Sequence, residues 1–260
     1  MTIKEYAAPE SVEQAYELLT AHPGSRLLAG LTMLKRQDLE IPLGIDLGKL
    51  GLDGIRDEQD AVVIGAMATY RQIERSERLT GALRVLADSI RDVGGPQLRN
   101  HITAGGGVAL GSGYCDLLTP LLALEAELTF HHRGTVLLEE HLARPVENDI
   151  LLEIRVPRGA QAASYQCVRH SQEDRCYLNA VAAQTAQGIR IAVGGQGAGV
   201  FRAKRAEELL QTSNVGAREI QQAAQLAAQE LAFTADISAS AQYRREICPV
   251  VVERALEAIR

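Results

Sequence analysis

The stretch Gly94–Pro120, GGPQLRNHITAGGGVALGSGYCDLLTP, constrains this chain most. It contains Gly94, Gly95, Gly105, Gly106, Gly107, Gly111 and Gly113. Glycine loses more conformational entropy on folding than any other residue and adds no side chain to a core. Such density is useful where backbone turns sharply or comes close to something. Consecutive backbone N–H groups in such a stretch can form a concave nest for anionic oxygens. The competing account is a long turn-rich connection with no ligand, because a lone glycine-rich loop is weak evidence. Arg99 precedes the glycine triplet and reads as a structural clamp rather than a phosphate ligand. Asp116 follows the triplet, directly ahead of an apolar run, Leu117–Leu124, that reads as a helix. Asp116 therefore suits a helix cap, a ligand contact or both.

Composition narrows the class. Of 260 residues, 46% are hydrophobic, enough for one large domain or two to three small ones. The net charge of -6, with no basic stripe, argues against nucleic acid as a partner. No apolar run reaches the length of a membrane span, and the N-terminus has no apolar h-region. The expected location is cytoplasmic. Cys115, Cys167, Cys176 and Cys248 form no C-x-x-C pair, so neither zinc nor an iron–sulfur cluster is indicated. The histidines, including His131–His132, have no metal-site spacing with carboxylates and read as turn residues.

Along the chain, Ser11–Leu19 reads as a helix, with capping-box spacing between Ser11 and Gln14. Arg26–Gly30 is a short strand ending in glycine, followed by Leu31–Leu34; such strand-to-turn junctions often hold phosphates and are as often plain turns. Ile45–Leu47 and Ala61–Ala66 read as strands, and Thr69 caps a helix from about Tyr70 to Arg75. A helix from about Thr80 carries Leu83, Leu86, Ala87 and Ile90 on one face. Glu127–Phe130 and Val136–Leu138 flank a turn, and Ile150–Val156 alternates as a half-buried strand should before Pro157 ends it. After a mild linker, Arg158–Gln161, strands are expected at Ser164–Val168 and Ile189–Val193, the latter leading into Gly194–Gly195–Gln196–Gly197. Helices are expected at Ala203–Leu210, Ala217–Leu231 and about Ala239–Ile259. The last should turn Tyr243, Ile247, Val250 and Val251 inward and kink or restart at Pro249.

Five segments in order resemble one family, the FAD-binding (medium) subunit of molybdenum hydroxylases, the group of xanthine dehydrogenase and aerobic carbon monoxide dehydrogenase. YAAPESVEQAYELL resembles its Y-x-x-P-x-S-x-x-E-A opening, and LLAGLTML its first flavin loop, A-G-G-T-x-L. The glycine-rich stretch is similar to G-x-P-Q-x-R-N-x-x-T-I-G-G-N…S-D. IRIAVGGQGAGVFRAKRAE and AQYRREICPVVVERAL resemble two stretches of its C-terminal domain. The resemblance implies an α+β protein. A two-lobed α/β FAD-binding domain of the PCMH type would span 1–158, with lobes of about 1–57 and 58–158. A smaller α+β flavoprotein domain of three strands and helices would follow at 162–260.

The resemblance further implies FAD between the lobes, its pyrophosphate on two loops. The first loop falls on Leu27, Leu28, Ala29, Gly30, Leu31, Thr32, Met33 and Leu34, the second on Thr103, Ala104, Gly105, Gly106 and Gly107. An acid bonding the flavin's polar chain falls on Asp116, an apolar residue near the adenine on Leu151, and positions near the flavin ring on Gln166 and Arg175. Several positions depart from the pattern. Leu31 stands for a glycine, Gly107 for an asparagine, Gln166 for a lysine, Arg175 for an apolar or aromatic residue, and Gly113 and Cys115 for a proline and a serine. The implied role is electron transfer. [2Fe–2S] centres of a small partner subunit would reduce FAD, which would pass electrons to NAD⁺ or another acceptor, while hydroxylation occurs in a molybdenum-cofactor large subunit. No catalytic or metal-ligating residue is then expected in this chain. The rivals are a flavin-free scaffold subunit of the same complex and a stand-alone flavin reductase.

Overall fold

A computed structural model describes residues 1–196, 199–211 and 215–260. Three sheets organise it. The first is parallel, with strands β1 (Thr2–Ala7), β2 (Arg26–Leu28) and β3 (Glu40–Asp46) in the order β1-β3-β2. Parallel neighbours need a crossover, and helix Val12–Ala21 supplies it between β1 and β2. The Ser11 hydroxyl caps that helix by accepting from the Gln14 amide at 3.1 Å. Ala15 packs beneath it with Leu43, Ile45 and Leu47.

The second sheet is antiparallel: β4 (Ile55–Asp57), β5 (Ala61–Gly65), β6 (Glu127–Phe130), β7 (Gly134–Leu137) and β8 (Leu151–Pro157), in the order β4-β5-β8-β6-β7. Between β5 and β6 the chain makes helices Tyr70–Arg75, Arg84–Ile90, Pro96–Arg99, Ala104–Leu110 and Leu118–Ala123. The glycine-rich stretch is thus largely helical, not one long turn. Leu86, Ile90, Leu117, Leu118 and Leu121 fill the core with Ile64, Leu128 and Ile154 of the sheet. Arg99 is the clamp its position suggests: nearly buried, it donates to Glu74 and to the Gly94 carbonyl.

The third sheet holds β9 (Ala162–Arg169), β10 (Cys176–Thr185), β11 (Gly188–Gly194) and the two-residue β12 (Phe201–Arg202), antiparallel in the order β12-β11-β10-β9. That is one strand more than the resemblance implies. Gly197 lies outside the described residues. One face of β10 and β11, with Leu178, Ala180, Ile191 and Val193, packs on helices Lys204–Leu209, Ala217–Glu230 and Ala241–Glu257. The other face, with Val181, Ala183 and Ala192, joins the core of the second sheet. β10 is therefore buried on both faces, and its sequence carries no alternation to announce it.

Close backbone contacts at glycines set how these parts meet, at Gly65 against Leu52 and at two further places. A Cβ on Gly30 would lie 1.5 Å from the His101 carbonyl oxygen, so the turn after β2 presses directly on residues 101–102. A Cβ on Gly113 would lie 2.1 Å from the Gln196 carbonyl, and the Gly195 amide donates to the Gly113 carbonyl at 2.7 Å. Any side chain at Gly113, proline included, would push the third sheet away.

The last helix keeps part of its expected face. It runs unbroken through Pro249, buries Val251 and packs Ile247 on the core as expected, but turns Tyr243 and Val250 outward and buries Arg244, Cys248 and Val252. Arg244 is held there by its acceptors. Its guanidinium, fully buried, donates to the carbonyls of Tyr177 (2.8 Å), Thr234 (2.6 Å) and Ala239 (3.0 Å) and to Asp236 (2.6 Å). Burial alone would raise the Asp236 carboxyl, but donation from Tyr114, the Ser238 amide, Arg244 and the Ala239 amide holds it at about 2. Arg244→Leu leaves these acceptors unpaired and should cost about 3–5 kcal/mol at pH 7 in urea unfolding. The depressed carboxyl stabilises the fold fully above about pH 4, its unfolded value, and that contribution is lost as pH falls through about 2. The Arg244→Leu deficit should therefore shrink on acidification. Equal urea midpoints for the two proteins at pH 7 would refute this account.

Candidate functional site

The first loop leaves β2 at Leu28 and turns through Gly30 onto residues 101–102. Leu31 follows with φ +58, a left-handed conformation that a leucine rarely adopts. Such a conformation costs a non-glycine residue roughly 1–2 kcal/mol. Among the described residues, the amides of Gly30, Leu31, Thr32 and Met33 donate no hydrogen bond. Successive unpaired amides at a left-handed residue are what an anion-binding nest requires.

The second loop is built otherwise. Thr103 precedes helix Ala104–Leu110, and its hydroxyl accepts from the Gly106 amide at 3.2 Å. Ala104 donates to the Ala68 carbonyl (2.8 Å), Gly105 to Ala66 (2.7 Å) and Gly107 to Thr103 (3.1 Å). These amides are spent inside the protein, so Thr103–Gly107 offers a smooth surface rather than a nest. The three glycines have different reasons to be there. A Cβ on Gly105 would meet Ala66 at 2.7–2.8 Å, and one on Gly107 the Cys115 sulfur at 2.8 Å. Gly106 is exposed, and a Cβ there would meet only the Thr103 hydroxyl, at 2.9 Å. The space beside Gly107, where the sequence pattern has an asparagine, is filled by Cys115 and Tyr70, paired at 3.1 Å. Burial pushes the Cys115 thiol up to about 11, which makes it packing rather than a nucleophile.

Between the two lobes lies a cavity of about 180 Å³. Leu27 and Ala29 of the first loop, Gly105 and Gly106 of the second, and Leu151 all line it, so five residues singled out from the sequence converge here. Leu47, Met67, Val108, Phe130, His141, Pro145, Val146 and Asp149 complete much of the wall and carry no sequence signal of their own. The Asp149 carboxylate accepts from the amides of His132, Arg133 and Ile150. A larger hollow of about 560 Å³, near Arg71, Arg75 and Arg78, touches neither glycine loop.

Asp116 sits elsewhere, against the third sheet. It is nearly buried, and its Oδ1 accepts from Tyr165 Oη (2.8 Å), Asn179 Nδ2 (2.8 Å) and Cys176 Sγ (3.0 Å). Helix Leu118–Ala123 has no side-chain cap, so the capping role is not realised. Burial, and then the Asp116 charge, push both Tyr165 and Cys176 well above their ordinary values and keep them as neutral donors. No hydrogen bond reaches Asp116 Oδ2 from the described residues. Gln166 and Arg175 are not drawn into the cavity. Gln166 follows Tyr165 on the opposite face of β9 and donates to Ser164, while Arg175 lies over the Tyr114 ring at 5.2 Å.

Comparison with known proteins now decides the family. Residues 2–159 match the FAD binding domain in molybdopterin dehydrogenase, and residues 163–259 match the CO dehydrogenase flavoprotein C-terminal domain. The chain belongs to this flavoprotein family. It is similar to the nicotine 6-hydroxylase medium subunit of Paenarthrobacter nicotinovorans, 28% identical over 96% of this chain and 95% of that one. It is likewise similar to the carbon monoxide dehydrogenase medium chain of Hydrogenophaga pseudoflava, 29% identical over 98% and 96%. The solved carbon monoxide dehydrogenase of Hydrogenophaga pseudoflava lacking the Mo-pyranopterin moiety superposes with a TM-score of 0.90 over 98% of this chain and 96% of that one, at 29% identity. Quinoline 2-oxidoreductase from Pseudomonas putida, 21% identical, shares the fold with a TM-score of 0.88 over 98% and 96%.

This is therefore an oxidoreductase flavoprotein subunit of the molybdenum hydroxylase family, with FAD as its cofactor. Its residues fit that group. An apolar cavity lined by both glycine loops lies between the lobes, and the first loop leaves it with unpaired amides. Among the described residues no three His, Cys, Asp or Glu side chains could hold a metal, and no helix is long and apolar enough to cross a membrane.

The glycine triplet yields a graded expectation. Gly106→Val should remove most FAD binding, read by fluorescence titration, while the melting temperature stays close to that of the parent. Gly105→Ala and Gly107→Ala should instead lower the melting temperature by overpacking, about 1–3 kcal/mol each. Undiminished FAD affinity in Gly106→Val would remove the second loop from the site.

Proposed function

We propose that FAD lies along the inter-lobe seam and serves as the electron relay of a complex with a molybdenum-cofactor large subunit and a [2Fe–2S] small subunit. The unpaired amides of Gly30, Leu31, Thr32 and Met33 carry this reading, because they are donors without acceptors beside an apolar cavity. They hold the pyrophosphate, and the Thr32 hydroxyl adds a donor. Gly106 lets the dinucleotide pass close to the second lobe. Asp116, fixed by three donors on one oxygen, keeps its other oxygen for a hydroxyl of the polar chain between pyrophosphate and flavin ring. Leu28, Leu34 and Ala104 shape the backbone of the two loops.

When bound, FAD accepts electrons one at a time and gives them up in pairs. This chain's residues bind, orient and shield it. The final acceptor is NAD⁺ or another two-electron acceptor, and substrate is oxidised in the large subunit. Similarity over nearly full length to chains named as medium subunits supports the partnership. No membrane or nucleic-acid partner enters this reading, and the location it suits is the cytoplasm.

Titration of the purified chain with FAD, FMN and ADP tests the cofactor arrangement. FAD and ADP should both bind, and Asp116→Ala should weaken FAD more than ADP. No binding of any of the three at high micromolar concentration would favour the scaffold reading. Equal weakening of FAD and ADP would take Asp116 out of the ribityl region. Co-purification from the native source should recover the two partner subunits, and recovery of a lone, fully active polypeptide would exclude the relay.

A further inference from the structure

His141 is the one polar side chain of the inter-lobe cavity whose hydrogen-bonding capacity is not exhausted. It lies in helix Leu138–Ala143 and is only 6% exposed. Its Nδ1 accepts from the Val146 amide at 3.2 Å, and the Phe130 ring packs against it with centroids 5.3 Å apart. A neutral imidazole that accepts through one nitrogen carries its proton on the other. Burial lowers the His141 pKa, which favours that neutral form. The proton is thus assigned to Nε2 from the hydrogen-bond pattern.

No described residue partners Nε2. The sealed, unpartnered side-chain atoms of the described residues are Arg190 Nε and Thr234 Oγ1, so His141 Nε2 opens onto accessible space. The space this ring lines is the cavity. The surrounding wall is apolar, formed by Leu27, Val108, Pro145, Val146 and Leu151, and the Asp149 carboxylate is already occupied by backbone amides. A single N–H donor in an apolar slot selects a flat, apolar heterocycle with a ring-nitrogen acceptor at its edge. At about 180 Å³ the cavity falls below the roughly 300 Å³ at which ligand pockets usually begin, so it takes one ring system and not a whole dinucleotide. Every lining residue lies between Leu27 and Leu151, none in the C-terminal domain that faces Asp116. On the reading of Asp116 as a partner of the chain next to the flavin ring, this is the end of the seam away from that ring.

We propose that His141 recognises the adenine of FAD by donating its Nε2–H to a purine ring nitrogen, with Phe130 and Leu151 packing the ring. This rests on the reading of the seam as an FAD site. FAD, ADP and FMN are titrated into the wild type, His141→Phe and His141→Gln by calorimetry. His141→Phe keeps an aromatic ring and deletes the donor. It should weaken FAD and ADP about three- to ten-fold, the worth of one neutral hydrogen bond, and leave FMN, which has no adenine, unchanged. His141→Gln restores a donor and should recover part of the loss. As a measurement independent of variant folding, ¹⁵N-labelled wild type should show the His141 Nε2 resonance shift on adding ADP and not on adding FMN. Unchanged FAD and ADP affinity in His141→Phe, or an Nε2 resonance indifferent to ADP, overturns the assignment while leaving the FAD site intact. Equal weakening of FMN would place the flavin in this cavity and overturn it too. A wild type that binds neither FAD nor ADP removes both readings at once.

Discussion

The way the parts of this structure meet rests on backbone touching backbone at glycines, Gly30, Gly65 and Gly113 among them. Gly30 brings the first lobe against the His101 carbonyl, and Gly113 brings the second lobe against the Gln196 carbonyl. At both places even a methyl group would sit closer than atoms can approach. Apolar burial drives the three cores together, but it is non-directional. The glycine contacts supply the direction, and the seam between the lobes exists because Gly30 fixes its width. The density of glycine in the central stretch is therefore as much about joining parts as about admitting a ligand.

The polar interior divides into two kinds of site. One kind is closed: Arg244 uses its guanidinium on three carbonyls and Asp236, and Arg99 uses its own on Glu74 and Gly94. Such groups are turned wholly onto protein acceptors, and their work is structural. The other kind stays partly open. Asp116 keeps one oxygen, His141 one nitrogen, and the first loop four amides. Buried polar groups are normally satisfied. Under-used ones beside the inter-lobe cavity and at Asp116 are consequently a physical sign of where a polar ligand belongs.

Much of this was readable from the chain itself. The family resemblance led to the right fold class, and Leu27, Ala29, Gly105, Gly106 and Leu151 do share one cavity. Local signals worked where they were strong, as with Ser11 and Thr69, whose side chains both cap helices. They failed where tertiary context overrode pattern. β10 is invisible because both its faces are buried, and the buried face of the last helix was read only in part because Arg244, a residue type usually exposed, is drawn inward while Tyr243 and Val250 are not. Gln166 and Arg175 do not line this cavity, and strand register and an aromatic neighbour, not residue type, decide where they point. His141 could not be found at all. Its interest comes from Val146 occupying one ring nitrogen, a fact of geometry with no sequence signature.

Leu31 has a consequence for the life of the chain outside its complex. A leucine held at φ +58 beside amides without acceptors places this loop at the low end of the molecule's local stability. A ligand that binds only the folded loop lifts that stability in proportion to the logarithm of its concentration over its dissociation constant. Under the cofactor reading, an unloaded copy is looser at residues 31–33 than a loaded one. Proteases that sample transient openings then discriminate between the two, so that cofactor supply during synthesis sets how many copies survive to assemble.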